Sequence, residues 1–302
     1  MLVFKPVTID DKSILDSYLK NYGSDSCQHS FAQMVGLSAK YGDEYCIEDE
    51  ILYIHRSRLD NDNYRVYLAP LGIMEQSFKH CIDILLDDCS HTGKKLKFET
   101  VTEEFANKLS NTYNDRFIAQ NNRDLAEYIY LTDSMINLPG SKLDAKRNHI
   151  NTFKNIYPDA VIERITADNI DDAKAFQRGW LAERNSYEAD SRLNIENDSI
   201  NLYLDNFDKF EFSGLIVYVN GKVAGFAAGV PLSNRCMDEV IEKGDRSYAG
   251  IYQVLCREFA SLCCNGYEYI NREEDIGIKG LRKAKESYHP YKLLAKYIVT
   301  EL

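Results

Sequence analysis

Apolar positions recur along this chain with two alternating periods, and the alternation lays out its elements. Val3 to Val7 reads as a short strand. Thr8-Ile9-Asp10 then offers a cap to a helix whose apolar face is Ile14, Leu15, Tyr18 and Leu19. The same order returns at Val161 to Ile165, where a strand leads into Thr166 and Asp168 and a helix carrying Ile170, Ala173 and Phe176. A longer correspondence follows in each half. In the first, a strand at Tyr64 to Ala69, a break at Gly72 and an amphipathic helix from Phe78 to Leu86 precede Gly93, a strand at Lys95 to Glu99 and the acidic turn Glu103-Glu104. In the second, the strand Met237 to Ile241, Gly250, the helix Ile251 to Cys264, Gly266, the strand Tyr267 to Asn271 and the acidic turn Glu273-Glu274 repeat that order. Two copies of one mixed α/β unit explain this better than a single large domain. The spans expected are 1–136 for the first copy, 137–155 for a connector helix at the junction, and 156–302 for the second.

Other local signals fill in the map. Pro139-Gly140 ends one element, and Ser141 can cap the connector helix, which runs to about Lys154. The most apolar run, Leu215 to Val230, is broken by Asn220-Gly221-Lys222, a hairpin turn signal, so it is two strands and no membrane span. Asn185 to Ser199 is polar and reads as a loop or short helices near the cleft, and Leu293 to Val299 as a closing strand. The first residues turn charged too soon for a signal peptide.

Composition changes this picture in two places. The eight cysteines form no C-x-x-C pair and the histidines do not cluster with them, which implies reduced thiols in a cytoplasm and no metal site. The net charge of −11 argues against a general nucleic-acid binder. Two segments run against it. Residues 142–154 set Lys142, Lys146, Arg147 and Lys154 against Asp144 alone, and residues 276–299 set six cations against Glu286 alone. Such segments on an acidic body suit a local anionic ligand, or are the solvated faces of helices.

Candidate chemistry gathers at Tyr267 to Pro290. A strand ends in Asn271-Arg272-Glu273-Glu274-Asp275, and Gly277 and Gly280 lead into a helix bearing Arg282 and Lys285 one turn apart. A strand, a charged crossover, glycines and a helix N-terminus are how many α/β proteins build a site. Arg272 can also pair internally with Glu273 or Asp275.

Strand hairpin, strand, glycine break, helix, strand, helix and closing strand is the order of the GNAT acyltransferase fold. The whole chain resembles the family of uncharacterised proteins related to the C-terminal domain of phosphatidylglycerol lysyltransferase. The resemblance rests on Gly140 to Ile150, Lys243 to Tyr252, and Ile270 to Gly277 with Lys285 to Tyr288. That family implies an α/β fold of two tandem GNAT-like units, akin to the Fem peptidyltransferases that take amino acids from aminoacyl-tRNA; Arg147-Asn148-x-Ile150 resembles a segment of Fem enzymes. One departure matters. GNAT enzymes that use acetyl-CoA cradle its pyrophosphate in a glycine-rich turn, Arg/Gln-x-x-Gly-x-Gly/Ala. Here the turn is Arg246-Ser-Tyr248-Ala-Gly250-Ile-Tyr252, with a bulky Tyr in place of the second small residue.

The resemblance therefore implies acyl or aminoacyl transfer, with aminoacyl-tRNA the donor ahead of acyl-CoA, no tightly bound cofactor, and a lipid met peripherally or a small amine or hydroxyl compound as acceptor. The alternatives are a non-catalytic ligand-binding protein on the same scaffold and an acyl-CoA-dependent N-acyltransferase. Aminoacyl transfer needs a proton acceptor, for which Glu273, Glu274 and Asp275 are candidates. Tyr288 stands where GNAT enzymes often carry the tyrosine that protonates the leaving group, or is a core aromatic. Lys146, Arg147, Arg282 and Lys285 would hold donor phosphates. Asn148, Lys243, Tyr248, Gly250, Tyr252, Asn271, Arg272 and Gly277 complete the expected binding set.

Overall fold

In the computed structural model the described residues are 2–72, 78–185 and 191–302. They form two compact units, each discontinuous in sequence. The first holds Met1–Glu127, Glu274–Arg282 and Leu293–Leu302, and the second Tyr128–Glu273 and Lys283–Lys292. The sequence reading draws the two copies as linear spans instead, 1–136 and 156–302.

In the first half of the chain the elements run β1 (Lys5–Pro6), α1 (Lys12–Tyr22), α2 (Phe31–Gly36), α3 (Ser38–Tyr41), β2 (Asp43–Glu48), β3 (Ile51–Arg56), β4 (Tyr64–Tyr67), α4 (Phe78–His91), β5 (Lys95–Val101), α5 (Glu103–Tyr113), β6 (Phe117–Asn121), β7 (Glu127–Leu131) and α6 (Thr132–Asn137). After them come α7 (Asp144–Ile156), β8 (Val161–Arg164), α8 (Ile170–Asn185), α9 (Ser191–Asp205), β9 (Ser213–Val219), β10 (Lys222–Pro231) and β11 (Cys236–Gly244). The chain ends with α10 (Ile251–Cys263), β12 (Tyr269–Glu274), α11 (Lys279–Glu286), β13 (Lys292–Leu294) and β14 (Tyr297–Glu301). The polar stretch Asn185 to Ser199, expected as a loop or short helices, enters one longer helix, α9, at Ser191, while residues 186–190 lie outside the described residues.

Each unit contains a seven-stranded mixed sheet, in the orders β1-β2-β3-β4-β5-β14-β6 and β8-β9-β10-β11-β12-β7-β13 when the second is read from its β8 edge. The orders match strand for strand. In each, a parallel pair is joined by a crossover helix: β4 and β5 through α4, with Tyr64 opposite Lys95, and β11 and β12 through α10, with Asp238 opposite Asn271. The sixth strand of each sheet comes from the other half of the sequence. No periodicity marks such an exchange, because a strand's pattern records burial and not its partner.

The cores follow from the amphipathic helices. In the first unit Cys81, Ile82 and Leu85 of α4 pack with Tyr67, Leu96 and Phe98 of the sheet and Val299 of β14. In the second, Val254, Leu255 and Phe259 of α10 meet Leu215, Val217 and Ala227, with Met135 of α6 and Ile150 and Phe153 of α7 in the same core. The hairpin between β9 and β10 turns on Asn220 and Gly221, both left-handed at φ 51° and 72°, as its tight two-residue connection requires. Ser141 does not cap α7: residues Ser141–Leu143 form a short 3-10 turn, and Leu143 stands at the cap position.

Candidate functional site

A buried charged cluster in the second unit grows out of a fault in β11. Gly229 of β10 lies opposite Glu239, but its neighbour Ala228 lies opposite Ile241. Val240 is therefore an extra residue, a β-bulge. In a regular strand Glu239 and Glu242, three apart, would point to opposite faces. The bulge brings both carboxylates onto Arg272 of β12, whose Nε binds Glu239 and whose Nη2 binds Glu242. The rings of Tyr288 and Tyr130 lie 5.4 and 5.9 Å from the guanidinium. Lys146 of α7 reaches the same place, with its ammonium 4.1 Å from the Tyr288 ring and 2.6 Å from Ser287 Oγ. Lys285 is buried and donates to the carbonyl of Arg272 at 2.5 Å, and Tyr130 donates to the carbonyl of Lys285 at 2.8 Å.

Burial dominates the electrostatics. It pushes the Glu239 carboxyl up, against the pull of Arg272, and Glu242 beside it adds to the rise; its Oε1 has no hydrogen-bond partner. Burial opposes the charge on Arg272, but Cys256 and the two glutamates more than offset that and hold it cationic. Burial likewise raises Tyr288, with Cys256 adding to it, so the phenol keeps its proton. The same desolvation lowers Lys146, to which Arg272 also contributes. The cluster thus offers a carboxyl able to exchange a proton, a phenol that stays a donor, and three cations, Lys146, Arg272 and Lys285.

The expected site residues fall into several groups. Lys146, Arg272, Lys285 and Tyr288 come together in this cluster. Arg272 pairs with Glu239 and Glu242, not with Glu273 or Asp275. Asn271 is fully buried, and its Oδ1 accepts from the N–H of Glu273, which is left-handed at φ 55° and partly exposed. Arg147 points elsewhere: it donates to the carbonyls of Leu138 and Gly140 and pairs with Asp144, tying down the Pro139-Gly140 turn. Asn148 is exposed on α7. Lys243 is buried against the Trp180 ring at 4.1 Å and pairs with Glu196 at 2.8 Å. Tyr248 stands edge-on to Tyr157 at 5.5 Å, and the Tyr252 hydroxyl donates to the carbonyl of Gly244 at 3.0 Å.

Gly250 opens α10 with a left-handed backbone, and four more expected residues belong to the first unit. Asp275 is fully buried between Arg282, at 2.8 Å, and Arg123, at 3.2 Å, and accepts from the N–H of Gly277 at 2.9 Å. Arg282 also binds Asp124 at 2.7 Å, and a side chain on Gly277 would meet Asp124 Oδ2 at 2.9 Å. Asp275, Gly277 and Arg282 are therefore a lock on the chain that leaves β12, which accounts for them without a ligand. Glu274 is partly exposed and receives the Cys27 thiol at 3.6 Å.

Glu239, Glu242, Cys256, Tyr130 and Ser287 lie outside the residues that the sequence motifs point to. One signal was present: three acids, Asp238, Glu239 and Glu242, inside a strand buried on both faces. The ligand atoms of Glu239, Glu242 and Cys256 lie within 4.8 Å of one another, as do those of Cys27, Glu127 and Glu274. A side-chain cation already sits in each group, Arg272 on Glu239 and Glu242 in the first and Lys296, 2.7 Å from Glu127, in the second.

Comparison with known proteins places the chain in a family. Residues 19–300 match the family described as phosphatidylglycerol lysyltransferase, C-terminal. A conserved protein of unknown function from Bacteroides thetaiotaomicron is similar over 100% of both chains, at 31% identity and a TM-score of 0.92. The structure of L-PGS from Bacillus licheniformis matches 100% of this chain and 94% of its own at 13% identity, with a TM-score of 0.67. A tandem GNAT protein from the clavulanic acid biosynthesis pathway covers 100% and 98% at 9% identity and a TM-score of 0.50. An uncharacterised protein of Mycoplasmoides gallisepticum is 26% identical over 173 residues, which span 57% of this chain and 55% of that protein. The chain belongs to the phosphatidylglycerol lysyltransferase C-terminal family and is built as two tandem GNAT-like folds, each a mixed sheet flanked by helices.

Proposed function

We propose that this protein transfers an aminoacyl group from aminoacyl-tRNA to a lipid or to a small amine or hydroxyl compound in the cytoplasm. Family membership supports the transferase class, and the turn before α10 carries the choice of donor. An acyl-CoA pyrophosphate needs free N–H groups converging at that helix start. Here the N–H of Ser247 goes to Asp245 Oδ1, that of Tyr248 to the Asp245 carbonyl and that of Ile251 to the Tyr248 carbonyl. A Cβ on Gly250 would lie 2.4 Å from the carbonyl oxygen of His149, so α7 already occupies the space beside the turn. These features disfavour a coenzyme A donor.

In the transfer, the acceptor's amine or hydroxyl forms a bond to the donor carbonyl and the ester bond to the ribose breaks. A proton leaves the acceptor and one reaches the ribose oxygen. Glu239, poised by burial, suits the first proton, and the partly exposed Glu273 is the alternative. Tyr288, held protonated, suits the second. Lys146 and Arg272 set a positive field for the developing oxyanion.

The test supplies the full chain with labelled aminoacyl-tRNAs, or with labelled acetyl-CoA, together with total lipid or small amines. Label should pass from aminoacyl-tRNA. Transfer from acetyl-CoA alone, or calorimetric binding of acetyl-CoA at micromolar Kd, about −8 kcal/mol, would overturn the reading.

A further inference from the structure

In the buried cluster, the acid best suited by its surroundings to hold a proton is also the harder one to reach. The Glu239 side chain is 3% exposed, whereas that of Glu242, on the same guanidinium, is 18% exposed. The bulge at Val240 sets this pair, because it turns both carboxyls to one side of β11 at two depths. Their oxygens and the Cys256 thiol lie within 4.8 Å of one another, and Glu239 Oε1 has no hydrogen-bond partner. Two ionised carboxylates this close repel each other, and burial strengthens the repulsion. Arg272 is the cation bonded to both, and it sets one positive charge against their two. Lys146 faces Glu242 but binds Ser287 Oγ, and Lys285 binds the carbonyl of Arg272. The other titratable groups facing the pair are Tyr130 of β7, Tyr288 after α11, and Cys256, Cys263 and Cys264 in or just past α10. Burial raises every one of these, so they stay neutral. One proton between the two acids therefore leaves them and Arg272 neutral together.

We propose that Glu239 and Glu242 hold a single proton between them and work as a relay, Glu242 meeting the acceptor at the rim and Glu239 exchanging protons with it from inside. The relay rests on the transfer reading above and names the group that touches the acceptor. Two carboxyls that share one proton can take a second and give one back, which a lone ionised carboxylate cannot do. As the acceptor nitrogen or oxygen bonds to the donor carbonyl, its proton passes to Glu242, so the proton assigned above to Glu239 arrives through its neighbour. The ester bond to the ribose breaks, and the ribose oxygen takes the Tyr288 proton. The pair then holds two protons and the phenolate none. One returns to Tyr288, which faces Glu242, and the pair again holds one.

Carbon-13 NMR titration of the full chain, labelled at the glutamate carboxyl carbons, tests the pair without turnover; Glu239→Gln and Glu242→Gln assign the two signals. In the parent both carbons should move in the same two steps, since a shared proton belongs to the pair, with the upper step above the ordinary glutamate range. Glu242→Gln should leave Glu239 a single step, about one pH unit or more below that upper one, because a like charge is gone. Glu239→Gln should likewise leave Glu242 a single step. Glu242→Asp keeps a carboxyl, so the Glu239 carbon should keep two steps; this variant and the parent curve decide the matter even where a Gln variant fails to fold. Acids that serve only to hold Arg272 would titrate independently, each unmoved by replacement of the other, and that result would overturn the proposal. With labelled aminoacyl-tRNA, Glu242→Gln should lower kcat about 10²-fold or more with little change in the donor KM, and full activity in that variant would overturn it as well. Coupled steps without any transfer from aminoacyl-tRNA would leave the shared proton standing and sink the transfer reading. Transfer with independent titrations would sink the relay alone.

Discussion

Arg272 sits among groups that would each be costly alone. Its guanidinium spans the buried carboxylate of Glu239 and the partly exposed one of Glu242, and Glu239 cannot find water if it is removed. Arg272→Ala should therefore destabilise the fold by about 3–5 kcal/mol in denaturant unfolding. Arg272→Lys should recover only part of this, because a point charge cannot bridge both acids. A loss under about 1 kcal/mol, the scale of an exposed pair, would show that the cluster is solvated. Glu239 gives a prediction in pH. Its native pKa is raised, chiefly by burial, so the native state binds this proton more tightly than the unfolded chain. The sign follows: the contribution is full below the ordinary glutamate value, about 4.3, and is lost as pH rises toward the native value. Glu239→Gln removes the penalty, so its Tm should match the parent near pH 4 and exceed it increasingly toward alkaline pH. A gap that widens toward acid would refute the assignment.

At the scale of elements, α10 and the turn before it show why a residue type is demanded. Gly250 is left-handed at φ 87°, and a Cβ added there would lie 2.4 Å from the carbonyl oxygen of His149. Gly140 is also left-handed, at φ 75°, but has open space around its Cβ position. Gly140→Asn should thus be nearly neutral, since Asn tolerates this backbone. Gly250→Asn should lower Tm sharply, because backbone blocks any Cβ there, at a cost above the 1–3 kcal/mol of strain alone. Equal effects would mean that conformation and not packing sets the requirement. Much at this scale was legible. The βαβ units followed from apolar periods and the hairpin from Asn220-Gly221, since those signals are local. Arg272 also stood out, but its partners did not. A bulge at Val240 leaves no mark in the order of residues, so Glu239 and Glu242 read as opposite-facing. The nearer Glu273 and Asp275 looked better placed, although Asp275 is committed to Arg123 and Arg282.

For the whole molecule, the exchange of strands makes the two units depend on one chain. β14 lies between β5 and β6 in the first sheet, and β7 between β12 and β13 in the second. Each contributes to the core: Val299 of β14 is fully buried, and Tyr128, Ile129 and Tyr130 of β7 are at most 1% exposed. A fragment of residues 156–302 lacks β7 together with α6 and α7, and so loses Met135, Ile150 and Phe153 from the core around α10. At roughly 1.5–3 kcal/mol for each large buried side chain, the missing residues outweigh a stability of about 5–15 kcal/mol typical of a folded domain. A fragment of residues 1–155 lacks β14 and leaves the edges of β5 and β6 unpaired. Neither fragment should melt cooperatively or give a dispersed amide spectrum alone. Co-expressed, the two should copurify and regain a cooperative transition, because each supplies the strand that the other lacks. A cooperative melt from residues 156–302 on their own would show that β7 is dispensable and that the second unit folds as a linear span.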